Sequence, residues 1–588
     1  MVRPVSQKVN KFNKKTIKQK ADKNSWLQRS LVLIMLLSFL LFLILPLSML
    51  FSQAFFDNNQ KFIGVANFSE YFTTPALVES LKNSLTVSSL TTIISVSLAF
   101  FFSYGLTRTN MFGKTIFRYI LLLPLFAPTM FYGIGLMYLF GNQGIVTNGL
   151  FGVLPPIKIE LYGPVGIVLA EILYTLPQAF MILLVAFKSS DYRLYEASEV
   201  LYASKLKQFF TVTLPSVKYG LISAMFISFT LCFTDYGAPK IVGGMYNVLA
   251  TDVYKKVIGQ QNFAMGATVG ILLMLPALMA FVVDQVTNRK AGLSLTAKST
   301  AYQIKPNKGR DLIYTIYGLI VALAVLLVFF AVTIAAVVNV FPYDMGLTLK
   351  NFNFNTWSGD GLVAYKNSLI VASLTALIGV VVTFLFAYSI EKIRIWPLAR
   401  KWASFFSVLP IALPGLVLGL SYVFFFSKPE IQVFSISLPN PLYGLYGTIG
   451  LLVIVNILHF YSVSFVTATT ALKKLDGEFE MVAEAMSIPF YKLLFQVTLP
   501  LSFGALVEMA MYLFVNSMVT ISAVIFLYPP DFKLAAVSII NMEDSGNVAA
   551  AAAMCLLIVC TNLLVRICYE AATKGISIIK KRRNERSE

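Results

Sequence analysis

Glu196-Ala197-Ser198-Glu199, running on through Leu201 and Leu206 to Val212-Thr213-Leu214-Pro215, is a polar-faced stretch set between two long apolar ones. It occurs twice. A second copy runs from Asp476 through Glu480, Ala483, Glu484 and Ser487 to Val497-Thr498-Leu499-Pro500, at an offset of 500 − 215 = 285 residues. At that offset Asp191/Asp476, Glu199/Glu484, Lys207/Lys492 and Phe210/Phe495 coincide. Acidic residues early and lysines late suit the dipole of a helix. Pro215 and Pro500 are expected to end each polar helix before the next apolar run begins. An apolar chain has little reason to keep two such solvated helices unless something docks on them.

The rest of the chain is apolar indeed. Of its 588 residues 57% are hydrophobic and 13% charged, too little polarity for a soluble globular protein. The net charge of +19 is concentrated in three places. These are the segment before Trp26 (Arg3, Lys8, Lys11 and others), the stretch from Arg289 to Arg310, and the end of the chain (Lys580 to Arg583, Arg586). That distribution marks cytoplasmic parts of a membrane protein and argues against nucleic-acid binding. Cys232, Cys555, Cys560 and Cys568 lie in or beside apolar runs and read as buried small side chains, not as a disulfide framework.

Working outward, Leu31 to Phe55 is a first apolar run without a small-residue cleavage site, read as a retained helix. Further spans are expected near 84–106, 119–141, 164–187, 219–237 and 264–286, then near 313–340, 368–389, 403–427, 446–468, 504–527 and 548–569. The expected fold is an all-α integral membrane protein of about 12 transmembrane helices in two parallel, homologous six-helix modules. Its layout is a basic tail (1–25), a first module (26–286), a linker (287–312), a second module (313–570) and a basic tail (571–588). Both ends are then cytoplasmic. The halves are copies: Asn67-Phe68 answers to Asn351-Phe352, and Lys82-Asn83-Ser84-Leu85 to Lys366-Asn367-Ser368-Leu369. Pro124 and Pro128 answer to Pro410 and Pro414; each pair is expected to kink a span that faces the bundle interior, where freed carbonyls can be satisfied.

No catalytic residue, resident metal or cofactor is expected. Gly113-Lys114-Thr115 resembles the end of a phosphate-binding loop, but residue 108, where the first glycine belongs, is Arg108. The single histidine, His459, lies in an apolar helix and reads as a packing or path-lining group. Polar groups within spans are Glu171, Asn456, Glu508 and Asn516, and Asp235 lies near the outer end of the fifth span. Burial of such groups is costly enough that they should face protein or a path. Asp235 either meets cargo or fixes the turn at Gly237 and Pro239. The candidates for a translocation path are Pro124, Pro128, Asp235, Pro410, Pro414 and Asn516.

Glu196-Ala197-Ser198 followed by Val212-x-Leu214-Pro215 resembles the loop signature Glu-Ala-Ala, three residues, Gly, nine residues, Ile-x-Leu-Pro. That signature belongs to permease subunits of binding-protein-dependent ATP-binding-cassette (ABC) importers. The resemblance extends over nearly the whole chain, to the fused two-module permeases of the ferric-iron and phosphonate type. It implies that Glu196, Ala197, Ser198, Glu199, Leu214 and Pro215, with Glu480, Ala483, Glu484, Ser487, Leu499 and Pro500, seat in ATP-hydrolysing partner subunits, a homodimer, while an extracytoplasmic solute-binding protein delivers the solute. It places the chain in a bacterial cytoplasmic membrane. The sequence departs from the signature at Tyr202 and Ser487, where glycine is expected, and at Met481, where glutamate is. Phe233 to Gly244 looks most like permeases assigned to 2-aminoethylphosphonate uptake, which makes that solute the first expectation and ferric iron the second. An ion-coupled secondary transporter is the alternative from another class.

Overall fold

A computed structural model describes residues 23–58, 61–153, 155–157, 159–294, 300, 302–355, 362–393, 395–433 and 436–585. Most of the basic N-terminal tail and the middle of the linker therefore lie outside the described residues. In the first half the helices are α1 (Asn24–Gln53), α2 (Pro75–Arg108), α3 (Lys114–Phe126), α4 (Thr129–Phe140), α5 (Pro164–Lys188), α6 (Arg193–Val200), α7 (Lys205–Thr234), α8 (Gly237–Val242), α9 (Leu249–Tyr254) and α10 (Phe263–Ser294). In the second they are α11 (Lys308–Val337), α12 (Val363–Glu391), α13 (Pro397–Ala412), α14 (Gly415–Phe426), α15 (Ile449–Lys473), α16 (Glu478–Ala485), α17 (Phe490–Leu501), α18 (Phe503–Val519), α19 (Ala535–Asp544) and α20 (Val548–Glu585). Among the described residues nine helices are long and apolar enough to cross a membrane, and three bent pairs raise the number of spans to twelve. The chain is an all-α multi-span membrane protein built as two parallel copies. Two short hairpins, β1 (Val338–Val340) with β2 (Asp344–Leu347) and β3 (Glu430–Val433) with β4 (Ile436–Pro439), decorate one end.

The repeated polar motifs do the same work in both halves. Asn67 Nδ2 donates to the carbonyls of Ala54 and Phe56 at 2.8 and 3.0 Å, and Asn351 Nδ2 to those of Ala336 and Val338 at 3.1 and 2.8 Å. Each amide satisfies backbone oxygens at the end of its half's first helix, which a membrane-embedded helix terminus requires. Ser84 Oγ accepts the Leu249 N–H and Ser368 Oγ the Ala535 N–H, both at 2.8 Å, starting α9 and α19.

The proline pairs do more than kink their spans. α3 and α4 meet at 108°, and α13 and α14 at 112°, so each expected continuous helix is broken. Ala127 and Leu413, the residues before Pro128 and Pro414, are forced out of helical geometry into extended backbone (ψ 142° and 118°). Each proline then stands at the start of the next helix.

Pro215 also acts differently from expectation. Helical backbone runs without interruption from Lys205 to Thr234 through a π turn at Phe209–Thr213, and the proline occupies the first turn after it, where a missing N–H is harmless. Pro500 has the same setting, but Ser502 then breaks the helix, and α17 and α18 meet at 76°. The linker is shorter than the sequence suggests, because α10 continues to Ser294 and α11 starts at Lys308.

The first helix of each half packs on the other half. Phe39 of α1 meets Phe386 and Tyr461 with ring centroids 6.1 and 5.5 Å apart, and Tyr422 Oη donates to the Phe42 carbonyl at 2.8 Å. In return α11 lies along α2 and α4: the Phe329 and Phe131 rings meet at 52° with centroids 4.6 Å apart, and Tyr317 Oη donates to the Leu98 carbonyl at 2.8 Å. Glycines permit the close approach, since a Cβ on Gly135 would stand 2.6 Å from a Val328 methyl. One buried apolar cluster consequently runs through both halves.

Candidate functional site

The two polar helices, α6 and α16, lie at the same end of the bundle and share their construction. Asp191 Oδ1 accepts the Arg193 N–H at 3.1 Å, and Asp476 Oδ1 the Glu478 N–H at 3.2 Å, so each aspartate starts its helix. Both helices end in a Schellman turn. Ala203 N–H reaches the Ser198 carbonyl (3.0 Å) and Tyr202 N–H that of Glu199 (3.0 Å); Ile488 and Ser487 do the same with Ala483 (2.8 Å) and Glu484 (3.1 Å). The turn demands a left-handed residue, and Tyr202 and Ser487 supply it with φ of 51° and 53°. Those are the two positions where the importer signature has glycine, and this is the physical reason glycine suits them.

Around each helix an apolar rim faces outward. Leu201 is 79% exposed, Tyr202 96%, Met486 67% and Phe495 65%, with Val200, Leu206, Phe210, Met481 and Val482 beside them. Glu196, Ala197 and Glu484 are exposed with the rim, while Ser198 and Ala483 are buried beneath it. Pro215 and Pro500 are exposed and Leu214 and Leu499 half-buried. Exposed apolar side chains grouped on a polar element are a docking pattern.

What holds each helix from below is a cation that sequence reading passed over. Arg108 ends α2 and Lys392 follows α12, at 392 − 108 = 284, the offset of the neighbouring Asn-Ser motif. Arg108 is buried; its guanidinium donates to the Phe187 carbonyl (3.0 Å) and to Ser190 Oγ, and lies over the rings of Tyr195 (5.3 Å) and Tyr302 (4.1 Å). Lys392 Nζ instead reaches Glu480 Oε1 (3.0 Å) and the Leu475 carbonyl (3.2 Å). Tyr195/Glu480 and Ser190/Leu475 are themselves equivalent at 285, so one device is built with a cation–π contact in one half and an ion pair in the other.

The first helix alone carries a strap. Linker residue Thr300 donates to Asp191 (3.1 Å), Tyr302 packs on Tyr192 and Tyr195 (5.2 and 5.0 Å), and Lys305 Nζ binds Glu199 Oε2 at 2.5 Å. The hydrogen bond from Lys305 holds the Glu199 carboxyl below its ordinary range, and the same bond raises the lysine. In the second half the tie falls on the start of α17, just after α16, where the Asn24 side chain accepts the Phe490 N–H at 3.1 Å.

The path candidates fall into two groups. Pro124, Pro128 and Asp235 converge at the α3/α4 break: Tyr132 Oη donates to the Pro124 carbonyl, Thr129 neighbours Asp235, and Asn562 of α20 donates to the Phe126 carbonyl at 2.9 Å. Asp235 Oδ2 accepts the Ala238 N–H at 2.9 Å, so it does fix the turn into α8. Glu171 joins this group. Pro410 and Pro414 form the matching break, where Ser462 Oγ accepts the Ile411 N–H at 3.1 Å. Asn516 is not brought there; its amide bonds the Tyr512 carbonyl of its own helix at 2.8 Å. Glu508 is exposed.

No protein-family model matches the chain. It is 27% identical over 492 residues to the ferric transport system permease protein FbpB of Actinobacillus pleuropneumoniae, covering 81% of this chain and 68% of that one. The putative ferric transport system permease protein FbpB 1 of Haemophilus influenzae is 28% identical over 523 residues, 86% of this chain and 78% of its own. The chain is a homologue of the fused, two-module ABC-importer permeases. As such a permease it is a transport subunit. The putative 2-aminoethylphosphonate transport system permease protein PhnV of Salmonella typhi is 27% identical over 233 residues, 39% of this permease and 82% of that one. Among solved structures, a bacterial ABC transporter involved in alginate import covers 47% of this permease at 20% identity, with a TM-score of 0.39.

Proposed function

We propose that this permease is the membrane channel of an ATP-driven importer of ferric iron, with α6 and α16 as the two seats for a pair of ATP-hydrolysing subunits. The observation that carries the reading is the duplicated outward-facing helix with its apolar rim, present at one end of both halves. Glu196, Ala197, Glu199 and Glu484 with the rim make the contact; Glu480, Ser198, Ala483, Tyr202, Ser487 and the Leu-Pro pairs hold its shape. Closure of the partner subunits moves both helices together and opens the path between the modules 26–286 and 313–570, joined by 287–312. That end, with both chain termini, faces the cytoplasm, and a solute-binding protein serves the end bearing the hairpins.

For the cargo, iron has more support than the 2-aminoethylphosphonate that the Phe233 to Gly244 stretch favours. The ferric relatives match over 81% and 86% of the chain, the aminoethylphosphonate relative over 39%. The test uses Glu196→Lys, or deletion of Ala203 to Phe209, in the complete transporter. Either change should leave the permease in the membrane and abolish co-purification of the ATPase; normal co-purification and normal transport would discard the docking assignment. Uptake of radio-iron that survives a protonophore and stops on ATP depletion excludes an ion-coupled carrier. The same assay with labelled aminoethylphosphonate decides the cargo.

A further inference from the structure

Glu171 lies in α5 with no exposure to solvent, and apart from the Asp235 carboxyl and the Cys232 thiol no group among the described residues hydrogen-bonds its carboxyl oxygens. Its neighbours are the carboxyl of Asp235 and the thiol of Cys232. The phenols of Tyr132 and Tyr174 lie within electrostatic reach of both acids, and Tyr512 of the second half within reach of Tyr174. Among the described residues no ammonium or guanidinium group interacts with either carboxyl. Two carboxyl groups set side by side away from water cannot both stay ionised unless a cation joins them; without one they share a proton.

The place matters as well as the charge. The acids lie where α3 and α4 break, beside Thr129 at the start of α4, and Gly237 lets the two segments touch because a Cβ there would collide with Thr129 and stand 3.2 Å from Met130 Cγ. Half-helix ends that converge in this way are where transporters hold their cargo. The second half does not repeat the chemistry: at the same offset (456 − 171 = 459 − 174 = 520 − 235 = 285) it has Asn456, His459 and Thr520. Asn456 is neutral and donates to Ser517 Oγ at 2.9 Å.

We propose that Glu171 and Asp235, with the phenols of Tyr132 and Tyr174, form a one-sided transit site for a hard trivalent cation, Fe3+. Carboxylate and phenol oxygens suit such an ion, which takes the place of the proton the two acids otherwise share. A further neighbour, the Cys232 thiol, is a soft donor that a hard ion does not favour, so the site suits a passing ion and not a resident one. The identity of the ion rests on the iron reading above, whereas the location rests on the buried acid pair.

The test is direct binding by the full chain in lipid nanodiscs, with iron supplied as ferric nitrilotriacetate. Wild type should take up one iron per chain and show a visible phenolate-to-iron absorption band. Glu171→Gln and Asp235→Asn should each weaken binding at least tenfold, Glu171→Asp should restore part of it, and Tyr174→Phe should weaken the band more than the binding. Absence of binding in wild type, or unchanged binding in both acid variants, overturns the site. Competition by spermidine or aminoethylphosphonate as effective as that by redox-inert gallium also overturns it, since the site would then be a general amine site. Should Glu171→Gln fail to fold, Glu171→Asp and Asp235→Asn carry the comparison. Radio-iron uptake by cells separates the two ideas: uptake at the wild-type rate in Glu171→Gln removes the site and keeps the iron reading, and loss of iron uptake from wild type does the reverse wherever nanodisc binding persists.

Discussion

Lys392 Nζ stands 3.0 Å from Glu480 Oε1, and with side-chain exposures of 8% and 19% the pair is largely withdrawn from water. It ties the end of α12 to the underside of α16. Removing one partner leaves the other buried without compensation, which costs about 2 kcal/mol. Lys392→Ala should therefore lower the melting temperature of the detergent-solubilised permease and, if α16 seats the proposed ATPase, weaken co-purification of that subunit. The double variant Lys392→Ala/Glu480→Ala should recover part of the stability, and additive losses would show that the two groups are not coupled.

Tyr202 and Ser487 occupy left-handed backbone that suits glycine. Tyr202→Gly and Ser487→Gly should each stabilise the chain by about 1 kcal/mol, read as a rise in melting temperature. A β-branched residue such as valine at 202 should do the opposite.

The Lys305–Glu199 strap should depend on pH and salt. Glu199 is held below its ordinary range, so its contribution is present above the unfolded value of about 4.3 and is lost as pH falls through the depressed one. Lys305 is raised, so its contribution is present below about 10.4 and lost as pH climbs through the raised value. Protease cleavage of the linker should be slowest between those limits and faster in acid, in alkali and in high salt.

Gly135→Ala should loosen the seat of α11 on α4, because its Cβ would stand 2.6 Å from Val328 Cγ1 and 3.0 Å from the Val328 carbonyl. Overpacking of this kind costs about 1–3 kcal/mol. Gly504→Ala, whose Cβ meets nothing within 4 Å, is the matched control and should be neutral.

Several features were readable from residues because they are local. The Asn-Ser motifs, the twin polar helices and the even repeat each follow from side chains that act on nearby backbone. The broken spans were not readable: hydropathy measures apolar length, and Lys114 to Phe140 or Pro397 to Phe426 has the composition of one crossing whether straight or folded at Pro128 or Pro414. Arg108 and Lys392 were passed over because a basic residue at a helix end already has an explanation as a topology signal. Glu171 was visible as a costly buried acid. Its pairing with Asp235 depends on how α5 meets the turn after α7, which no periodicity encodes.

The exchange of first helices also bears on how the chain is made. α1 leaves the ribosome ahead of the rest of its module, yet its contacts Phe386, Tyr422 and Tyr461 follow only after that whole module and the linker. Neither half alone can finish its own wall, so the fused chain guarantees that each borrowed helix arrives in equal number with its host.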